Sequence, residues 1–371
     1  MTKTALITGI TGQDGYYLSQ LLLSKGYRVV GLIPPGRRKS TRKLEDLRDK
    51  VDIVTVDLTD VARLTDAVEQ LQPHEIYNLA APSFVPKSWE DPLGTLDLVT
   101  GTATRLLDAT RELGLQTRFY QASSSEIFGD VLSAPQTVET SFRPKNPYGA
   151  AKLHAHWTMV HHRDRYNLFA CSGILYNHES PRRPPQFVTR KISLTAAAIK
   201  LGMVKKLSIG NLFAKRDWGF AGDHVEAMWR MLQANEAEDY VIGTGILHTV
   251  QHLVATAFDC VGLNWEKYVE TDPSLVREDE HFQLVANPAK AKQNLGWEPK
   301  VTFEQLVDLM VRSDLEKLDK GAIAPPGTGD RAKPETSQPA PLSSFRATAV
   351  STSVSPQGNS SSQSSSKAVP V

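Results

Sequence analysis

Six short apolar runs separated by stretches with helical periodicity constrain this chain more than any other feature. The runs are TALIT, YRVVGLI, VDIVTVD, EIYNLA, TRFYQAS and LFACSGILY; patterns such as DGYYLSQLLLSKG and LTDAVEQLQ lie between them. Strands that are apolar along their whole length need cover on both faces, and helices in the connections supply it. The expected fold is therefore α/β, with a doubly wound parallel sheet. Beyond about residue 175 the elements become irregular and proline-rich, as in NHESPRRPPQF.

The first run ends in Thr8-Gly9-Ile10-Thr11-Gly12-Gln13-Asp14-Gly15, and a helix is expected from about Gln13. Glycines at 9, 12 and 15 let the chain turn tightly, bring backbone amides close to a pyrophosphate and pack helix on sheet. The anion then sits on the helix N-terminus, where unpaired N–H groups and the dipole favour it. This predicts a Rossmann-type dinucleotide site lined by Gly9, Thr11, Gly12, Gln13, Asp14 and Gly15. An NAD site places a carboxylate at the end of the second strand, roughly 20 residues past the glycines. This chain has Leu32, Ile33, Pro34, Pro35, Gly36, then Arg37, Arg38 and Lys39. Guanidinium groups suit a phosphate dianion, so NADP is the expected cofactor, held by Arg37 and Arg38. Asp57, with Leu58 after it, ends the third strand where the adenine edge would lie. Leu79 and Ala80, within Asn78 to Ala81, would pass beneath the cofactor.

The organisation follows. Residues 1–175 are expected to form the NADP-binding domain, with segments near 211–245 returning to it, and 176–320 to form a smaller, mainly substrate-binding C-terminal domain. From Gly321 the chain is rich in Ser, Pro and Thr with a single aromatic residue. Such a segment buries too little apolar area to offset its ordering entropy, so 321–371 is read as a disordered tail. A formal charge of +1 gives no bulk attraction to nucleic acid or acidic membranes, so a bound anion must be met locally. Cys171 and Cys260 lie far apart with no C-x-x-C spacing, which argues against a disulfide framework or a zinc site and for a reducing, cytoplasmic setting. The opening MTKTALITGITGQDG runs straight into glycines, unlike a secretory leader, and no window is long enough to span a membrane.

The chemistry is carried by two further stretches, QASSSEIFG at 121–129 and NPYGAAKLH at 146–154. Serine hydroxyls compete for backbone hydrogen bonds and favour strand ends; Glu126 directly after them is not needed for a turn. Tyr148 and Lys152 stand at i and i+4 on one helix face, a spacing at which an ammonium group can lower the pKa of a phenol and make it a base near neutral pH. The cluster His154, His156, His161 and His162 contains no i, i+4 histidine pair and does not converge as metal ligands should. It is read as helix surface or subunit contact, and no metal is expected.

Taken together, TGITGQDG, NLAA, QASSSE, PYGAAK, NHESPRR, FVTRKI, KRDWG and VEAMW resemble the GDP-mannose 4,6-dehydratase family of extended short-chain dehydrogenases/reductases, over about residues 1–318. Three positions depart from the family pattern. Its Thr-Ser-Glu is Ser124-Ser125-Glu126, Pro34-Pro35-Gly36 displaces the arginines expected directly after the second strand, and Pro184 replaces the glycine after PRR. The resemblance implies NADP-dependent oxidation of the sugar at carbon 4, loss of water across carbons 5 and 6, and return of the hydride to carbon 6. It makes Tyr148 the base for the 4-hydroxyl, Lys152 its partner and the holder of the nicotinamide ribose, Ser124 the hydrogen-bond donor to the 4-oxygen, and Glu126 the extra acid/base of the elimination. It further implies that Asn177, Arg190, Lys191 and Arg216 surround the nucleotide diphosphate, that Arg277 and Glu280 meet the phosphate or ribose and the guanine edge, and that the helices around 94–113 and after Lys152 form a homodimer or homotetramer interface.

Other readings on the same residues are a 4-keto-sugar reductase or epimerase, which has no need of Glu126, and a dehydratase for another GDP-hexose or heptose. A non-catalytic NADP-sensing protein typically loses Tyr148 or Lys152, and this chain keeps both.

Overall fold

A computed structural model of the chain describes residues 2–276 and 283–327, except the side chains of Arg38 and Lys39. Arg277, Glu280 and the segment from residue 328 lie outside the described residues. The strands, in chain order, are β1 (Thr4–Thr8), β2 (Arg28–Ile33), β3 (Val51–Thr55), β4 (Glu75–Asn78), β5 (Arg118–Ser124) and β6 (Ala170–Leu175). They are followed by β7 (Asn177–Glu179), β8 (Leu207–Ile209), β9 (Lys215–Phe220), β10 (Tyr240–Ile242), β11 (Leu247–Thr249) and β12 (Val269–Thr271).

All six apolar runs are strands. With β10 they form one seven-stranded sheet of order β10-β6-β5-β4-β1-β2-β3, parallel throughout. Neighbouring residues in each run serve opposite faces, which is why the runs read as continuously apolar. Ile7, Val29, Tyr77 and Tyr120 pack with Leu18 and Leu22 of the helix Gln13–Ser24 and with Val225 and Met228 of the helix Ala221–Met231. Leu6, Val30, Ile76 and Phe119 pack with Leu64, Leu106, Ala151 and Met159 from the helices Val61–Leu71, Thr102–Glu112 and Pro147–Tyr166. Each fully buried large apolar side chain contributes about 1.5–3 kcal/mol, so the two faces together dominate the stability of this layer.

The strand order reverses between β1 and β4, and in an open α/β sheet the crevice at such a point is where ligands sit. Thr8 and Asn78 lie in register there, and Thr8 Oγ1 donates to Asn78 Oδ1 at 2.6 Å.

The later residues build a third core around Trp218, Phe303 and Val307, between the helices Val188–Lys200, Val250–Asp259 and Phe303–Asp319. The last of these starts at a capping box in which Thr302 and Gln305 exchange bonds. Two small sheets, β11-β9-β7 and β12-β8, frame this part. The described residues nevertheless lie in a single compact unit, because the helix Ala221–Met231 and β10 return to the large sheet before the chain leaves it again. Past Asp319 the chain continues to pack: Ala322 N–H donates to Lys317 O, and Ile323 rests against Leu194, Ala198 and Leu318. No helix among the described residues is long and apolar enough to cross a membrane.

Candidate active site

The crevice is floored by the glycine turn. Gly9 has φ +72°, in the left-handed region that favours glycine. A Cβ on Gly15 would stand 2.5 Å from Gly9 O, and one on Gly9 would stand 3.0 Å from Ala80 N. Gly12 precedes the helix Gln13–Ser24 without a side-chain cap, so this turn offers a helix N-terminus suited to a pyrophosphate. Leu79 and Ala80 both donate their N–H groups to Thr8 Oγ1 at 3.0 Å, which draws the end of β4 against the turn. Thr11 is half-buried within it. The residues fit a dinucleotide.

The side chains of Gln13 and Asp14 are engaged within the protein. Gln13 Nε2 donates to His178 O at 3.0 Å and its Oε1 accepts from Ser180 Oγ at 2.7 Å. Asp14 Oδ2 meets His178 Nε2 at 3.0 Å. Their side chains are committed to β7 and the residues after it, which leaves their backbone for a cofactor. Further out, Asp57 accepts from Thr59 N and Oγ1 at 2.9 and 2.8 Å, and these bonds hold its carboxyl below its ordinary value. Leu58 is buried in the core, so only its backbone can face a ligand. Arg37 is exposed at the start of the segment Arg38–Leu47. That segment is fastened by Arg182, which donates to Lys43 O at 2.9 Å and lies over the Tyr16 ring at 3.2 Å.

The four expected catalytic residues converge at the carboxyl end of β5. Ser124 ends the strand and caps a short turn by accepting from Glu126 N at 3.2 Å. Tyr148 and Lys152 are both buried on the helix Pro147–Tyr166. Lys152 Nζ donates to Ala122 O at 2.7 Å and lies 5.6 Å from the Tyr148 ring centre. The described hydrogen bond of the ammonium thus goes to the strand rather than to the phenol. Burial pushes Tyr148 well above its ordinary value and the charge of Glu126 adds to that, while the Ser124 hydroxyl and Arg183 pull it down. Burial also pushes Lys152 down to about 8, against the carboxylate of Asp14. Added positive charge in this crevice would therefore favour the phenolate.

Three residues missed in the sequence support these. Gln121, buried in β5, donates to Ala122 O at 3.0 Å and accepts from Asn78 Nδ2 at 2.7 Å. A buried polar chain thus runs from Thr8 through Asn78 and Gln121 to the carbonyl that holds Lys152; an amide inside an apolar strand was its only sequence signal. Asn146 accepts from Gly149 N at 2.7 Å and donates to Glu126 Oε2 at 2.8 Å, a helix cap legible in Asn-Pro. His178 is the third.

The expected substrate residues divide. Asn177 begins β7, beside Trp218 of β9, and Arg216 stands on β9 opposite His248 of β11. Lys191 is half-buried, and burial lowers its pKa despite Asp272. Arg190 is occupied inside the protein: its guanidinium meets Asp314 at 2.5 Å and donates to Pro181 O and Arg183 O at 2.5 and 3.1 Å. On a helix, Arg190 and Ser193 share a face, and both bond the Asp314 carboxylate. Arg190 is an internal anchor for the loop that carries Arg182 and Arg183.

Among the described residues no group of three or more His, Cys, Asp or Glu side chains is placed to hold a metal ion. His161 stacks on Trp157, and His162 reaches Asp108 at 3.3 Å.

A family model described as GDP-mannose 4,6 dehydratase matches residues 6–310. The chain is 48% identical over 326 residues to GDP-mannose 4,6 dehydratase 2 of Arabidopsis thaliana, covering 85% of this chain and 87% of that protein. It is 46% identical over 344 residues to the GDP-mannose 4,6 dehydratase of Homo sapiens, covering 85% and 92%. Among solved structures, a UDP-glucose 4-epimerase from Thermotoga maritima with UDP-glucose superimposes with a TM-score of 0.76 at 23% identity, over 85% of this chain and 99% of that one. An RMD structure from Pseudomonas aeruginosa complexed with NADPH gives 0.73 at 23%, over 85% and 100%. At those identities the superpositions speak for the fold.

Proposed function

This chain belongs to the GDP-mannose 4,6-dehydratase family, and from that premise we propose that it converts GDP-mannose to GDP-4-keto-6-deoxymannose with NADP as its resident cofactor. The observation that carries the reading is the carboxylate of Glu126, standing two residues after Ser124, bonded back to it, and held by the residue that caps the helix of Tyr148 and Lys152. Oxidation at carbon 4 needs only the hydroxyl, the phenol and the lysine; a carboxylate beside them suits an elimination.

In this reading a bound nicotinamide would supply the hydride acceptor for carbon 4, the hydride donor for carbon 6, and positive charge while oxidised. Tyr148 takes the proton of the 4-hydroxyl, with Ser124 hydrogen-bonded to the same oxygen. The carbonyl formed at carbon 4 acidifies the hydrogen on carbon 5, and Glu126 takes that proton. Glu126 then gives it to the departing 6-hydroxyl, which leaves as water. As carbon 6 is reduced, carbon 5 takes the proton that Tyr148 removed from the 4-hydroxyl, so that both groups are reset and no net cofactor is consumed.

NADP is favoured by the exposed Arg37 and by the lack of a carboxylate from Leu32 to Gly36. Asn177, Lys191 and Arg216 are the diphosphate and sugar contacts in this reading. Arg277 and Glu280 join them from outside the described residues. Trp89, Leu93, Leu96 and Trp157 are large apolar side chains left exposed, which supports a homo-oligomer formed through the helices around 94–113 and after Lys152. The free Cys171 and Cys260 suit a cytoplasmic setting.

The test is purified protein with GDP-mannose and no added reductant. A 4-keto-6-deoxy product without net change in NADPH supports the assignment. A carbon-4 epimer, or turnover that requires stoichiometric NADPH, overturns it.

A further inference from the structure

Asn146 stands between two parts of the site, and its amide can face only one way. Its backbone is extended (φ −140°, ψ 160°) just before Pro147. Oδ1 accepts from the Gly149 N–H at 2.7 Å, while Nδ2 donates to Glu126 Oε2 at 2.8 Å. Flipping the amide would set its NH2 against an N–H and its oxygen against a carboxylate, so both bonds together fix the orientation.

The helix start is also pressed onto Glu126. A Cβ on Gly149 would stand 2.6 Å from Glu126 O, and Glu126 N donates to Ser124 Oγ at 3.2 Å. The glutamate is thereby held at its backbone by Ser124 and Gly149 and at one carboxylate oxygen by Asn146. Among the described residues, Glu126 Oε1 has no hydrogen-bond partner, and it is the oxygen free to meet a substrate.

We infer that Asn146 is a positioning residue of the elimination step: it locks the Glu126 carboxylate to the first turn of the helix that carries Tyr148 and Lys152, so that the acid/base and the oxidising pair address one sugar from fixed positions. An aimed group is worth far more than a mobile one, because a misplacement of about 1 Å can lower a rate 10²-fold. The inference rests on the acid/base reading of Glu126.

Asn146→Asp separates the two roles of the side chain. Aspartate caps a helix as well as asparagine does, but it presents a carboxylate to Glu126 in place of a donor. The expected result is a melting temperature near that of wild type and a normal rate of nicotinamide reduction on addition of GDP-mannose. Keto-deoxy product falls by roughly 10-fold or more, and the acidic limb of its pH–rate profile moves to higher pH. Asn146→Ser keeps the cap without reaching Glu126; it should lose product with no such displacement of the limb. Asn146→Ala should lose melting temperature as well. A wild-type product rate and pH profile in Asn146→Asp would reduce Asn146 to a cap and overturn the inference.

The contact has a readout independent of turnover. The Asn146 side-chain NH2 protons should be protected from exchange in wild type and lose that protection in Glu126→Ala. Unprotected NH2 protons in wild type overturn the inference whatever the activity. Protection together with a wild-type enzyme that forms no keto-deoxy product instead overturns the assignment of function, and the positioning of an acid/base falls with it.

Discussion

His178 and Asp14 form a buried ion pair that ties the glycine turn to β7: Nε2 meets Oδ2 at 3.0 Å, while Nδ1 faces the Tyr176 carbonyl oxygen at 2.7 Å. Both ring nitrogens face acceptors, an arrangement that favours the doubly protonated, cationic imidazole. Burial would lower its pKa, but Asp14 more than reverses this and the net direction is up; the nearby Arg183 opposes it. Burial likewise opposes the charge on Asp14, and His178 holds that carboxyl well below its ordinary value. His224 stacks on His178 at 4.5 Å, with its Nδ1 on Phe220 O. Burial, followed by the charge of His178, takes His224 down to about 3, so it stays neutral. The strand that begins with Asn177 is thus fastened to the helix Gln13–Ser24 by this pair together with the Gln13 bonds to His178 O and Ser180.

That pair gives stability a pH dependence. The raised His178 contributes fully below its ordinary 6.5 and loses its contribution as pH rises through the higher folded value. The lowered Asp14 contributes above its ordinary 3.8 and loses it as pH falls. Asp14→Asn removes the charge and keeps the shape. Its stability should fall furthest below wild type between those two values, by an amount on the order of 3–5 kcal/mol for breaking a buried pair, and its melting temperature should fall with it. The gap should narrow as pH rises past 6.5. A gap that is constant from acid to alkaline pH would show that the pair is not charged as described.

Arg190 and Lys191 are neighbours in sequence with opposite expected behaviour. Arg190→Ala leaves Asp314, fully buried, without its cation and should destabilise the fold by about 3–5 kcal/mol. Enzyme that remains folded should keep its KM for the GDP-sugar. Lys191→Ala should leave the melting temperature within about a degree of wild type and raise KM instead. Thermal melts and steady-state kinetics on both variants check this, and the reverse pattern would return Arg190 to the substrate site.

Residues 190 and 191 also show where sequence reading stops. The sheet was legible because each apolar run must satisfy two faces, as Leu6 and Ile7 do. The glycine turn was legible because Gly9 and Gly15 stand where a Cβ would collide. Tyr148, Lys152, Ser124 and Glu126 were singled out through the family resemblance, and one strand end and one helix face bring them together. A cation's direction is another matter. Arg190 faces Asp314, 124 positions away, and Gln13 faces Ser180; no local pattern encodes such partners. The strand Tyr240–Ile242 carries only three residues, too few for a period to be read.

The proposed preference for NADP rests on the exposed Arg37 after β2. NADP(H) should bind at least tenfold tighter than NAD(H), about 1.4 kcal/mol, and Arg37→Ala should narrow that ratio while leaving NAD(H) affinity unchanged. Titration of both cofactors against wild type and variant decides it. Equal affinities in wild type would remove the case for a 2′-phosphate site.

The two halves of the proposed reaction can be separated at Glu126. Removal of hydride from carbon 4 depends on Tyr148, Lys152 and Ser124, whereas loss of the carbon 5 proton and of water depends on a carboxyl group. Glu126→Gln keeps the length of the side chain and an oxygen that can accept from Asn146 Nδ2, the bond now made at 2.8 Å, so the site should stay assembled. A glutamine cannot take a proton. The variant should still reduce bound NADP+ when GDP-mannose is added, seen as nicotinamide absorbance, while product falls by roughly 10²–10⁴-fold, the range for losing a general acid/base. Tyr148→Phe should suppress both signals. With deuterium at carbon 5, the glutamine variant should retain label that wild type releases to solvent. Product at near wild-type rate from Glu126→Gln would show that the carboxylate only braces the helix through Asn146, and the elimination would need another base.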